Sequence, residues 1–356
     1  MKKTEQNKKV FVGMSGGVDS SVSALLLKQA GFDVTGVFIK VWYPDFFPCN
    51  WKEERRDAMR VSAKLGIPFM TLDLRDEYKK EVVDYMLNEY KAGRTPNPDV
   101  MCNRYVKFGG FLNKAIEMGV DYIATGHYAQ NEETGGQFYM KESVDTNKDQ
   151  TYFLWTLTQK DLARTLFPVG HLKKDEVRKI AKENDLPIFD KKDSQGLCFI
   201  GKIGMKEFLA NYIEDKIGDV LNTDGEVIGN HNGAVFFTIG ERHGFTITKK
   251  GSEEDPYFVI DKDIEKNTIT VSSIPEEVSV EKSFALSRVN WINNEPDEKM
   301  TVDVRLRYRQ EKIKAKIKKE KDKFFVYLET SVSDITPGQS CVVYNGEMVM
   351  GGGVIS

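Results

Sequence analysis

Val10-Phe11-Val12-Gly13-Met14-Ser15-Gly16-Gly17-Val18-Asp19-Ser20-Ser21 decides the architecture of this chain. A short apolar run enters a segment of glycines and hydroxyl residues, and an amphipathic stretch carrying Val22, Leu25 and Leu26 follows. That order predicts strand, turn and helix. Gly16 and Gly17 let backbone approach a ligand with no Cβ in the way. A helix starting there turns unpaired N–H groups and a positive dipole end toward the same spot. The spot suits an anion. Val18-Asp19-Ser20 stands where a Walker loop ends in Lys-Ser/Thr, so this is not the ordinary kinase or GTPase loop. A bare Gly-Gly turn reads most simply as a packing device, but Ser15, Asp19, Ser20 and Ser21 around this one point to a nucleotide.

Working outward, strand-like runs at Val10–Gly13, Val34–Val41, Phe69–Leu74 and Tyr122–Thr125 are separated by helical patterns near 20–30, 53–65, 76–90 and 103–118. Such alternation predicts an α/β domain with a parallel sheet covered on both faces. Ligands of such sheets sit beyond the carboxyl ends of the strands, where the glycine loop and Gly126-His127 both fall. A further helix is expected over Lys174–Asn184, closed off by Pro187.

From about residue 216 the texture changes to short β-type runs at Asp219–Leu221, Ala234–Thr238, Tyr257–Ile260 and Thr268–Val271, with Asp224-Gly225 as a hairpin turn. A third block near 280–356 ends in Gly351-Gly352-Gly353. The expected division is 1–215, 216–278 and 279–356, with two small, mainly β domains behind the α/β domain. Within the last, period two over Val302–Arg309 places Arg305, Arg307 and Arg309 on one strand face. By itself this is a solvated edge guarded by charge; beside a nucleotide-binding domain it becomes a phosphate-backbone surface.

The 356 residues carry a net charge of −3, so a polyanionic partner must be met by local patches. No apolar run approaches the length of a bilayer span and the polar N-terminus has no signal-type apolar segment, so a cytoplasmic protein without membrane attachment is expected. Four cysteines, Cys49, Cys102, Cys198 and Cys341, are too few for a disulfide scaffold and form no Cys-x-x-Cys zinc pair.

Two of them lie in polar, turn-marked segments. Gly93-Arg-Thr-Pro-Asn-Pro-Asp99-Val-Met-Cys102-Asn103 carries two prolines, and a helix is expected to begin just after Cys102, where the dipole favours thiolate. Asp99 is placed to shuttle a proton. Lys191-Lys-Asp-Ser-Gln-Gly-Leu-Cys198-Phe-Ile-Gly201 offers lysines to a second thiolate. A buried inert thiol is the commoner fate of a cysteine, and Cys49 and Cys341 take that reading.

The Ser-Gly-Gly-Val-Asp-Ser string resembles the PP-loop of ATP pyrophosphatases, which split ATP between its α and β phosphates. Taken together with Gly-Arg-Thr-Pro-Asn-Pro-Asp at 93–99, Cys102-Asn103, Ala-Thr-Gly-His-Tyr at 124–128, Asn-Lys-Asp-Gln at 147–150, Gly-Leu-Cys-Phe-Ile-Gly at 196–201, Arg-Tyr-Arg-Gln at 307–310 and Pro-Gly-Gln-Ser at 337–340, the chain closely resembles the tRNA-specific 2-thiouridylases. These thiolate the wobble uridine, a tRNA-uridine 2-sulfurtransferase activity. The resemblance covers nearly the whole chain. It implies an adenine nucleotide alpha hydrolase-like domain that binds ATP through Gly13, Met14, Ser15, Gly16, Gly17, Val18, Asp19, Ser20, Ile39 and Gly126. Ile39 stands where the family is expected to carry methionine. Mg²⁺ would accompany the ATP, and the last domain would be a β-barrel. The resemblance also implies a persulfide on Cys198, with Cys102 as partner nucleophile. It places Asn97, Pro98 and Asp99 at the target base, and His127, Lys148, Asp149, Gln150, Arg307, Tyr308 and Gln339 against tRNA of the Lys, Glu and Gln type. A separate sulfur-donor protein would deliver the persulfide. Rival readings are another PP-loop ligase or amidotransferase, a non-catalytic RNA-binding module that keeps ATP as a structural ligand, and an iron–sulfur thiolase using Asp99, Cys102 and Cys198.

Overall fold

β1 (Lys9–Gly13) pairs in parallel with β2 (Asp33–Lys40) on one side and β4 (Tyr122–Ala124) on the other. With β3 (Phe69–Asp73) and β7 (Thr165–Leu166) they form a parallel sheet in the order β3-β2-β1-β4-β7. Val10 and Val12 are wholly buried, as a strand covered on both faces requires. The winding reverses at β1, so the crevice beyond the ends of β1 and β4 is where a ligand fits. Helices α1 (Val18–Gln29) and α2 (Trp51–Leu65) and helical stretches over 75–91 and 98–117 cover the sheet. This computed structural model describes residues 7–46, 51–192, 204–248, 256–274, 281–332 and 335–356.

Two antiparallel-rich units follow. β8 (Gly218–Leu221), β9 (Val227–His231), β10 (Phe245–Ile247), β11 (Phe258–Asp263) and β12 (Thr268–Ser272) form a sheet in the order β10-β9-β8-β12-β11, with Asp224-Gly225 at the predicted turn. The expected strand at Ala234–Thr238 is corrected. Ala234–Phe236 is a 3₁₀ turn entered through Gly233 at a φ of 137°, which rolls Val235, Phe236 and Phe237 into the core instead of alternating them.

β13 (Glu281–Trp291), β14 (Val302–Arg305), β15 (Ile313–Glu320), β16 (Lys323–Val332), β17 (Ser340–Asn345) and β18 (Met348–Ile355) run in the order β13-β16-β15-β14-β17-β18, and β13 pairs with β18 to close a six-stranded barrel. A hairpin of the first block, β5 (Ala129–Thr134) with β6 (Gln137–Glu142), docks on this barrel through Lys141 opposite Met348. Tyr152 and Trp155 are fully buried beneath it: the Tyr152 hydroxyl donates to the carbonyls of Leu306 (3.0 Å) and Ser340 (2.9 Å), and Trp155 Nε1 donates to Ser340 Oγ (3.1 Å).

The arginine strand also needs correction. β14 ends at Arg305, because Gln310 Oε1 accepts from the amides of Leu306 (2.8 Å) and Arg307 (3.2 Å) and folds 306–310 into a turn. Arg309 is left at a φ of 64°, so the three arginines do not share a strand face. Arg305 points inward to Glu142 (2.8 Å) and Asp149 (3.2 Å), and Lys312 also meets Glu142. Burial raises the Asp149 carboxyl above its ordinary range, and the amide of Ser143 and the hydroxyl of Thr151 donate to it in compensation. Arg305→Ala leaves Asp149 facing a void and should cost about 3 kcal/mol, as removing one member of a buried ion cluster does. Calorimetry checks this, and an unmoved unfolding midpoint would show the cluster to be solvated.

Candidate active site

The glycine loop leaves β1 and enters α1 at Gly17, which has extended backbone and makes no side-chain cap. The first N–H groups of α1 thus open on the crevice with the positive dipole end. Gly126 comes in from β4 so close that a Cβ there would lie 2.6 Å from Ser20 N and 2.8 Å from the Asp19 carbonyl carbon. Glycine is obligatory at that crossing. Met14 and Val18 are buried, so at these two positions a ligand meets backbone. Ile39 lies at the end of β2 and is partly buried.

Asp19 is held from two directions. Lys174 Nζ donates to both its oxygens (2.7 and 2.9 Å), and the Tyr128 hydroxyl donates to Oδ1 (2.8 Å). Gln150 Oε1 in turn accepts from Tyr128 N (3.0 Å), and Gln150 N donates back to the Tyr128 carbonyl (2.9 Å). Lys191 Nζ donates to the Gly16 carbonyl (3.1 Å) and to Asp57 (2.8 Å), so this lysine braces the glycine loop. Sequence reasoning missed Lys174 and Tyr128. The available signal was Lys174 itself, a cation in the first turn of the helix Lys174–Glu183, where the dipole disfavours it.

The cysteine segment differs from expectation in one respect. The helix starts at Pro98, not after Cys102: Pro98 occupies N1, where its missing N–H costs nothing, and Asn97 caps it by accepting from Val100 N (3.3 Å). Cys102 is therefore past the first turn, at the head of a π-helical stretch Cys102–Phe111, and is buried. The dipole contribution to its thiolate falls away. Asp99 and Lys107 of this helix interact electrostatically. Burial raises the Asp99 carboxyl and Lys107 opposes the rise. Lys107 also meets His127 Nε2 at 3.3 Å, while His127 Nδ1 lies 2.8 Å from Thr125 Oγ1. Lysine only donates, so Nε2 accepts and the imidazole proton sits on Nδ1. Burial, with Lys107, pushes the His127 pKa well below its ordinary value, which fixes that neutral form. Lys107 thus joins the cysteine helix to the loop that carries Gly126.

The remaining expected RNA residues fall into two groups. Gln339 Nε2 donates to the carbonyls of Thr95 (2.9 Å) and Pro96 (3.4 Å), beside Asn97, Pro98 and Asp99. Lys148, Asp149 and Tyr308 line a cleft of about 280 Å³ with Arg305 and Arg309. Asn103 Nδ2 donates to the Phe153 carbonyl (3.0 Å), and the Phe153 ring lies 4.5 Å from that of Tyr308, so the cysteine helix and the cleft share a wall. Cys198 and Cys49 lie outside the described residues. Cys341 is buried in the barrel, where burial pushes its thiol up, in keeping with an inert role. Among the described residues no three His, Cys, Asp or Glu side chains are placed to hold a metal ion, and no helix is long and apolar enough to cross a membrane.

Residues 8–202 match the family model described as tRNA methyl transferase HUP domain, 206–273 the tRNA methyl transferase PRC-barrel domain, and 281–355 the aminomethyltransferase beta-barrel domain. The chain is 45% identical over 356 residues to the tRNA-specific 2-thiouridylase MnmA of Shewanella amazonensis, covering 98% of this chain and 94% of that one. To the proteins of the same name from Shouchella clausii and Bacillus subtilis it is 46% and 42% identical, covering all of this chain and 98% and 96% of theirs.

Proposed function

The chain belongs to the family of tRNA-specific 2-thiouridylases, and from that premise we propose that it converts the wobble uridine of tRNA to 2-thiouridine at the expense of ATP. The observation that carries this reading is the crevice itself, where the uncapped start of α1 with its Asp19–Lys174 pair is joined through His127 and Lys107 to the helix of Asp99 and Cys102. Residues 1–215 form the catalytic domain in this account, 216–278 the central domain, and 279–356 the barrel that grips RNA.

A ring carbonyl oxygen is a poor leaving group, so activation comes first. The uridine O2 attacks the α phosphorus of ATP and pyrophosphate departs, with the α1 amides and Lys174 holding phosphate charge. Gly13 to Ser20, Ile39 and Gly126 cradle the nucleotide, whose close approach the bare Gly126 crossing permits. A Mg²⁺ ion escorting ATP would draw on Asp19 and supply further neutralisation of phosphate charge. The terminal sulfur of a Cys198 persulfide then attacks C2 and AMP leaves. Cys102 thiolate attacks Sγ of Cys198, which frees the thiocarbonyl and leaves a Cys102–Cys198 disulfide for an external dithiol to reduce. Asp99, raised by burial, holds the proton that the thiol gives up. The sulfur reaches Cys198 from a persulfide-carrying donor protein. Substrates are tRNAs of the Lys, Glu and Gln type, whose wobble base must leave its stack to reach this crevice. The reading is tested by incubating the protein with ATP and unmodified tRNA: pyrophosphate release that depends on tRNA, and 2-thiouridine in the digested product, are expected. Release without tRNA would favour another PP-loop ligase.

Arg309 and Lys148 line the cleft and take the phosphate backbone, whereas Arg305 is committed to its ion cluster. Lys148→Ala with Arg309→Ala should weaken tRNA binding and reduce its salt slope by about 2 phosphate contacts, with turnover at saturating tRNA little changed. Isotherms at several salt concentrations decide, and an unaltered slope removes these two residues from the RNA surface.

A further inference from the structure

Thr95-Pro96-Asn97-Pro98 is a loop that cannot hold itself. Two of its residues have no N–H, and the carbonyls of Thr95 and Pro96 must find donors outside it. Both donors come from one side chain of the barrel, Gln339, whose Nε2 lies 2.9 Å from Thr95 O and 3.4 Å from Pro96 O. Two facing carbonyls also settle the amide orientation, since its oxygen would be repelled there. Thr95 N returns a bond to Pro337 O (2.9 Å). Between them Gly338 sits at a φ of 94°, and a Cβ on it would lie 2.9 Å from the Thr95 backbone. The turn is tied behind to the last strand, Gly338 N donating to Ile355 O (2.9 Å) and Ile355 N to Gln339 O (2.8 Å), and it receives Arg307 Nη2 on Thr336 Oγ1 (3.2 Å).

We propose that the barrel turn Thr336–Gln339 is a latch on the target-base loop, and that Gln339 is a positioning residue for the adenylation step rather than a plain RNA contact. The inference rests on the function proposed above and deepens it: the domain that grips RNA also sets the loop that presents the base. An arginine on the RNA side, a threonine hydroxyl, the turn and the loop form one bonded series that ends at Asn97, Pro98 and Asp99. The central domain adds Thr238 Oγ1, 3.1 Å from Thr95 Oγ1, so all three blocks meet at Thr95.

The test compares wild type with Gln339→Leu, Gln339→Glu and Gly338→Ala in the full chain. Amide hydrogen exchange of residues 93–101 without tRNA reads the latch directly. Faster exchange in the variants is expected, and exchange equal to wild type overturns the latch. Single-turnover pyrophosphate release at saturating unmodified tRNA should fall on the order of tenfold or more, as small misplacements of a reacting group do, while tRNA affinity stays near wild type. Weakened affinity with unchanged release would make Gln339 an RNA contact and overturn the positioning role. Should Gly338→Ala not fold, the Gln339 pair decides alone, Glu being an isostere of the native amide. A wild-type protein that releases no pyrophosphate with tRNA would sink the proposed function, while the exchange comparison still judges the latch.

Discussion

Cys102→Ser is expected to end 2-thiouridine formation, by a factor on the order of 10³ or more, while pyrophosphate release and tRNA affinity persist. A serine hydroxyl fits the buried site of Cys102 but cannot take up a sulfur–sulfur bond, so the relay stops after activation. Cys198→Ser should give the same pattern. Retained activation is the informative part, because it separates the thiol steps from the phosphate chemistry at α1. Nucleoside mass spectrometry of the tRNA, run beside a pyrophosphate assay with free sulfide excluded, checks both halves. A Cys102→Ser protein that thiolates at the wild-type rate would remove this thiol from the reaction and reopen the ligase reading.

The opposite pattern is expected at the other end of the crevice. Asp19→Ala and Lys174→Ala should each suppress tRNA-dependent pyrophosphate release on the order of 10²-fold or more, as loss of a preorganised charge at a reacting phosphate does. Each variant also strands its partner, since Lys174 Nζ reaches both Asp19 oxygens; the cost is greater for Lys174, whose side chain is only 10% exposed against 31% for Asp19. Tyr128→Phe removes one of the bonds to the Asp19 carboxylate and leaves both from Lys174, so it should cost less. If Lys174→Ala released pyrophosphate normally, the pair would be a structural tie of the helix Lys174–Glu183 to α1, and Lys174 would have no part in holding phosphate.

The parallel sheet and the glycine loop were legible because local signals agreed: apolar β1, the glycines and the helix-forming run that follows them all specify strand, turn and helix, although α1 proves buried on most of its sides rather than amphipathic. The helix at 98 was misplaced by a rule applied too widely, for proline breaks a helix interior but begins a helix well. The arginine face failed differently. Period two is real over Val302–Arg305, but Gln310 folds the chain back on itself, and no periodicity reports a side chain that caps a turn. Lys174, Tyr128 and Lys107 were missed because their partners lie up to 155 residues away. A basic residue in a helical pattern reads as solvated surface until the fold brings a carboxylate to it.

Trp155 and Tyr152 belong to the first block, yet they are sealed by Ser340 and Leu306 of the barrel. Synthesis is vectorial, so the ribosome delivers the nucleotide crevice long before the strands that cover these aromatics. Until residue 340 emerges, the nascent enzyme carries a wet tryptophan and an unclaimed β6 edge, the sort of surface that chaperones hold. The first block is thus the first part made and the last part finished, because its buried aromatics find their partners only when the barrel closes over them.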